Sequence, residues 1–163
     1  MARARVNRGE SSGGPALLCW DGSEGAASAI RYAAQILGRG SGAIVVFAHV
    51  PTESARGVLA GFSGPDAPIM PIVDAEDLLE RGVRIARDAG LDAAGLRVTA
   101  EDKTSEIIVA LAEEHNALLI VMGQRERSAL GTLLLGSVAR DVLNAHHRPV
   151  MLVGPGSPGV YPR

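Results

Sequence analysis

Along this chain, short apolar runs alternate with longer segments in which apolar residues recur at helical spacing. Five runs have strand character: Ala16 to Trp20 (ALLCW), Ala43 to Val50 (AIVVFAHV), Leu96 to Ala100 (LRVTA), Leu118 to Met122 (LLIVM) and Pro149 to Val153 (PVMLV). The fourth is apolar throughout, which fits a strand covered on both faces in a parallel sheet. The proline that opens the fifth suits a sheet edge. Between the runs lie four stripes of helical period. Ala26, Ala27, Ile30, Ala33, Ala34 and Leu37 follow the turn Asp21-Gly22-Ser23 and stop at Gly38. Leu78, Leu79, Gly82, Ile85, Ala86 and Ala89 follow Asp74 as cap and stop at Gly90. Ile107, Ile108, Leu111 and Ala112 follow Thr104, with Glu113 and Glu114 on the solvated face. Val138, Val142, Leu143 and Ala145 follow Ser137, and His146, His147 and Arg148 stand at the negative end of that helix. Five strands alternating with four helices predict an α/β fold: a doubly wound parallel sheet with helices on both faces, because right-handed crossovers place them there.

One stretch breaks the pattern. Residues 51–73 carry Gly57, Gly61, Gly64, Pro65, Pro68 and Pro71 with no sustained period, so a lid or an insertion with little regular structure is expected. The length of 163 residues suits one domain, read as 15–154 between flexible arms at 1–14 and 155–163. The N-terminal MARARVNRGESSGGP has the charges of a signal peptide without its apolar core, and no run approaches the roughly 18 apolar residues of a membrane span. A formal net charge of -2 leaves no basic footprint for nucleic acid or an anionic membrane, and 3% aromatic content argues against stacking platforms. The single cysteine, Cys19, excludes an intramolecular disulfide framework and suits a reducing compartment, so a cytoplasmic protein is expected.

The candidate chemistry lies around the fourth run. Strand, Gly123, a polar loop (Gln124, Arg125, Glu126, Arg127, Ser128) and then Gly136-Ser137 opening a helix make an anion site: unpaired N–H groups point outward, the helix dipole favours negative charge, and glycine removes the Cβ. The same pair also reads as a simple turn and cap. Asp21 stands at the carboxyl end of the first strand, where open parallel sheets bind ligands, and is equally a favoured turn residue. His49, alone on an apolar strand, reads as packing rather than as a metal ligand, and the adjacent His146 and His147 point in different directions. Gly154, Gly156 and Gly159 match the dinucleotide fingerprint, but only four residues remain after them and no helix follows to present N–H groups. There is no P-loop lysine motif, no G-x-S-x-G elbow and no metal cluster, so no dedicated catalytic constellation is visible.

The spacing of Gly123, two residues, position 126, nine residues and Gly136-Ser137 resembles the nucleotide-binding signature Gly-x2-Gly-x9-Gly-Ser/Thr of the universal stress protein family. The flanking LIVMG and LLLGSVAR are also similar to that family, and the resemblance spans Ala16 to Val153. It implies the strand order 3-2-1-4-5, which brings Asp21 close to Gly123 and Gly136. It also implies an ATP or AMP site, with Mg2+ as a further component. Asp21 and Val50 would hold the adenosine, although Val50 reads equally well as core. Gly123, Gln124, Arg125, Gly136 and Ser137 would hold the phosphates, and Met122 and Val138 would border the same cofactor. Further implications are a regulatory role in the stress response, unidentified protein partners, a homodimer through the edge strand 149–153, and at most slow ATP hydrolysis.

The match departs from the signature at one position: Glu126 stands where the nucleotide-binding branch has its second glycine. A carboxylate and a phosphate about 4 Å apart repel by about 4 kcal/mol at an effective dielectric of 20 and about 1 kcal/mol in bulk water. The larger figure abolishes binding and the smaller weakens it roughly tenfold. Arg125, Arg127 or a bridging divalent cation would relieve the repulsion. Two readings therefore stand: a weakened nucleotide site, or a nucleotide-free dimeric interaction module.

Overall fold

Leu17 and Leu18 are consecutive, both fully buried, and belong to separate cores. Neighbouring side chains on a strand point to opposite faces, so this strand must be covered on both. The computed structural model shows how, describing residues 13–49, 75–99, 103–124, 136–145 and 147–154 of the chain. The elements run β1 (Ala16–Cys19), α1 (Glu24–Leu37), β2 (Gly42–His49), α2 (Ala75–Asp88), β3 (Asp92–Thr99), α3 (Thr104–Glu114), β4 (Leu119–Gly123), α4 (Ser137–Ala145) and β5 (Val150–Val153). The strands form one sheet in the order β3-β2-β1-β4-β5, and each neighbouring pair is parallel. The doubly wound architecture and strand order expected from the sequence are therefore present. The segment 51–73, Asp74, His146 and the flanking arms 1–12 and 155–163 lie outside the described residues.

Alternate residues of the strands feed alternate cores. Leu18, Val45 and Val121 pack with the buried alanines and Ile30 of α1 and with Leu79, Val83 and Ala86 of α2. Leu17, Ile44 and Ile120 pack with Ile108 and Ala112 of α3 and with Ala139 and Val142 of α4. One pair of helices thus covers each face. α1 begins where expected: Ser23 stands in extended conformation and its hydroxyl accepts from Ala26 N–H at 3.2 Å. The proline opening the last strand also behaves as an edge residue. Pro149, with no N–H of its own, offers its carbonyl to Ile120 N–H at 2.9 Å, and β5 is the outermost strand on that side.

β3 departs from the expected bounds. It begins at Asp92 rather than Leu96, and its partner β2 is matched along its whole length from Gly42↔Asp92 to His49↔Thr99. Asp92-Ala-Ala-Gly95 has little intrinsic strand preference, so the ladder and the packing of α2 override propensity. A Cβ on Gly95 would lie 3.0 Å from Val83 Cγ2 and 3.1 Å from Leu79 Cγ, so small residues let α2 lie close to the edge of the sheet. The ladder is buttressed from outside by Arg87, whose Nε donates to the Ala93 carbonyl at 3.0 Å.

Trp20, immediately after β1, fastens α2 to the sheet. Its ring is buried and its indole N–H donates to the Leu78 carbonyl at 2.7 Å. Gly82 makes room for it, since a Cβ there would sit 2.8 Å from ring atoms. Gly82→Ala is expected to destabilise the protein by about 1–3 kcal/mol through overpacking, although alanine is the better helix former. Urea denaturation of the variant checks this; unchanged or increased stability would mean that the ring shifts aside without cost.

Candidate functional site

After β1 the chain turns to α1 on one face of the sheet, whereas after β4 it crosses to α4 on the other. β1 and β4 are neighbours, and the helices that follow them pack on opposite faces, which leaves a gap at the carboxyl ends of the two strands. A crevice of about 660 Å³ occupies it. The end of β1 contributes Cys19, Trp20 and Asp21, and the end of β4 contributes Met122, Gly123 and Gln124. The first turn of α4 supplies Gly136 through Arg140. Val46 and Ala48 of β2, with Thr104 and Ile108 of α3, close the far side.

Of the residues singled out in the sequence, Asp21, Met122, Gly123, Gln124, Gly136, Ser137 and Val138 all line this one crevice. Val50, Arg125 and Glu126 lie outside the described residues. The sequence reading missed Val46 and Ala48, Thr104 and Ile108, and Arg140. Each pair does carry a local signal, with period two along β2 and four residues along α3. Only the strand order brings them to the crevice. Arg140 was findable by helical spacing, three residues after Ser137.

The glycines at positions 123 and 136 differ in why they lack a side chain. A Cβ on Gly123 would run into the Gly25 carbonyl and come within 2.6 Å of Ala26 N, where the first turn of α1 rests against the end of β4. Gly25 is its counterpart, because a Cβ there would lie 2.5 Å from the Gln124 carbonyl oxygen. Packing alone therefore demands glycine at position 123. At Gly136 a Cβ would meet no described atom within 4 Å. Its carbonyl accepts from Arg140 N–H at 3.0 Å, closing the first turn of α4. No described neighbouring atom calls for glycine there, and the backbone at this position lines the crevice. Ser137 follows as the exposed first residue of α4, so Gly136, rather than Ser137, occupies the capping position.

Asp21 shapes the loop on the opposite wall. Its Oδ1 accepts from Ser23 N–H at 3.0 Å, across Gly22 with φ of 82°, so the turn-forming reading of this residue holds. The residue is nevertheless exposed and lines the crevice. Cys19 lies beside it. Although the residue as a whole keeps some exposure, burial of its thiol, and secondarily the Asp21 carboxylate, push its pKa up to about 12. The crevice floor thus holds a neutral, weakly nucleophilic thiol. Among the described residues there is no group of three His, Cys, Asp or Glu side chains that could hold a metal ion, and no helix long and apolar enough to cross a membrane.

A parallel open sheet with a cavity at its switch point, walled by a helix N-terminus, defines the class: a small doubly wound α/β domain. The chain belongs to the Universal stress protein family, whose sequence profile it matches over residues 14–154. Among solved structures, the universal stress protein from Archaeoglobus fulgidus is similar at 27% identity and a TM-score of 0.61, covering 85% of this chain and 97% of that one. The universal stress protein from Archaeoglobus fulgidus in complex with dAMP shares the fold at 24% identity and a TM-score of 0.57, covering 85% and 96%. A universal stress protein in complex with cAMP does so at 22% identity and 0.56, covering 88% and 98%. No curated protein sequence matches the chain.

The Cys19 environment has a consequence that can be measured. Because the folded-state pKa is raised to about 12 from an ordinary value of 9.0, the unfolded chain loses the thiol proton first as pH rises. The native state then binds the extra proton, so stability falls between about pH 9 and 12, by up to about 1 kcal/mol per pH unit. Wild type is expected to lose more stability than Cys19→Ala across that range, and native protein at pH 8 is expected to alkylate far more slowly than unfolded protein. Equal alkylation rates in the two states would contradict the buried, protonated thiol.

Proposed function

We propose that the protein binds an adenine nucleotide in this crevice and acts in the cytoplasm as a regulatory module of the stress response rather than as a dedicated enzyme. The observation that carries this reading is Gly136: no described atom lies within 4 Å of where its Cβ would stand, and it opens a helix N-terminus into a cavity of about 660 Å³. An oxyanion placed there is stabilised by unpaired N–H groups and the helix dipole. Relatives of the same fold supply the ligand class, since solved universal stress proteins are complexes with dAMP and cAMP.

In this reading Asp21 accepts from the ribose hydroxyls, with Val50 bordering the base. Met122, Val46 and Ala48 offer apolar surface to the adenosine. The backbone at Gln124, Arg125, Gly136 and Ser137, with the Ser137 hydroxyl, receives the phosphates, and Val138 closes the cradle. The ligand is ATP or AMP. Mg2+ with ATP would neutralise phosphate charge close to Glu126. Gly123 serves the site indirectly, by letting α1 and β4 meet without a gap.

A second reading is favoured by β5. This outermost strand is one boundary of the sheet, and Val150, Met151 and Leu152 are only half-buried. An open edge with apolar side chains can pair with its copy in a second chain. A homodimer formed there is compatible with nucleotide binding, and on its own would make the protein an interaction module.

Calorimetric titration with ATP and magnesium, and with AMP, separates these readings. Wild type is expected to bind saturably, and Ser137→Ala to weaken binding about ten- to a hundredfold through loss of a hydrogen bond to a charged group. Gly136→Ala is expected to weaken it further while costing at most about 1 kcal/mol of stability. Glu126→Gly should tighten ATP binding by up to about tenfold. Saturable binding untouched by both Ser137→Ala and Gly136→Ala would move the ligand elsewhere. No binding by wild type but binding by Glu126→Gly would make the natural chain nucleotide-free. Sedimentation equilibrium tests the dimer: the mass of a single chain at every concentration would remove it.

A further inference from the structure

We infer that Arg140 reads the number of phosphates on the ligand, making the crevice selective for a nucleoside polyphosphate over a monophosphate. The inference rests on the crevice being an adenine-nucleotide site and goes beyond it, because Arg140 lies outside the glycine-serine signature. Arg140 is exposed, lines the crevice, and sits three residues after Ser137 on α4. Residues so spaced share a helix face, so the guanidinium belongs to the same wall as Gly136 and Ser137.

Its position is unfavourable for the helix alone. The first turn of α4 carries no acidic residue, and a cation near the positive end of the dipole is repelled by it. Nor is the charge paired among the described residues. The ion pairs among the described residues join Arg31 to Glu24 and Arg97 to Glu76, while Arg87 and Arg148 donate to backbone carbonyls. Arg140 takes part in no ion pair or side-chain hydrogen bond among the described residues.

A local choice that works against its helix, with no compensating partner among the described residues, is expected where a ligand supplies the gain. The crevice moreover carries opposite charges on its two walls. Its described lining holds one carboxylate, Asp21 after β1, and one guanidinium, Arg140 on α4. A ligand with hydroxyls at one end and phosphates at the other is thereby oriented. Gly136 and Ser137 form the cradle, and the long, exposed arginine side chain extends beyond it to the phosphates nearer solvent, which only a polyphosphate has.

The test is calorimetric titration of ATP and of AMP into wild type, Arg140→Ala and Arg140→Lys, at low and at raised salt. Arg140→Ala is expected to weaken ATP about tenfold and AMP less than about twofold. Arg140→Lys is expected to retain most of the ATP affinity, and the ATP deficit of the alanine variant should shrink in raised salt because an exposed charge is screened. ATP binding unchanged in Arg140→Ala, or an equal loss for ATP and AMP, would overturn the selector role and leave the crevice as the nucleotide site. Failure of wild type to bind either nucleotide would overturn the proposed function and this inference with it.

Discussion

The contact on which the architecture turns is one of backbone against backbone. At the end of β4, Gly123 faces the first turn of α1, and Gly25 faces the Gln124 carbonyl, with no Cβ between them. This approach lets α1 lie across the central strands while Gln124 N–H still reaches the Val153 carbonyl at 2.9 Å, keeping β5 in the sheet. Because α1 is seated here on one face, the chain after β4 has room to leave by the other. The crevice is what remains between them. A larger side chain at either glycine would push apart the two elements whose divergence creates the site.

Around this contact, stability and recognition use different materials. The two cores are aliphatic and largely built from alanine, valine, leucine and isoleucine, so the helices pack close to the sheet, and the few bulky groups need dedicated space. Trp20 has it through Gly82. The crevice, by contrast, brings a carboxylate, a guanidinium, a protonated thiol and a bare helix N-terminus to the carboxyl edge of the sheet. Its floor is apolar, which lowers the local dielectric and strengthens any charge contact made at the rim. Cys19 illustrates the balance: the surroundings that suit an uncharged base also hold its thiol in the neutral form.

Much of the site was legible locally because its central part is contiguous. β4, the polar loop and the start of α4 follow one another in the chain, so the order strand, glycine, loop, glycine, serine could be read without knowing any long-range contact. Asp21 was legible for a related reason, standing just past the first apolar run. Val46, Ala48, Thr104 and Ile108 were not, because a β2 residue and an α3 residue become neighbours only through the strand order. Gly25 was hidden too. Within α1 it looks like an ordinary small residue, and its role exists only against the Gln124 carbonyl. The first half of β3 escaped notice because Asp92-Ala-Ala-Gly95 carries no strand signal of its own and is held by β2 and α2.

By itself the sequence determined the kind and order of the described elements, the two-sided burial of the central strands and the chemistry available at the end of β4, since all three follow from periodicity and local backbone preference. Tertiary structure alone decided which helix covers which face, why position 123 must be glycine, and which distant side chains share the crevice. The physical reason is that packing and electrostatics act over distances in space, whereas periodicity records only distances along the chain.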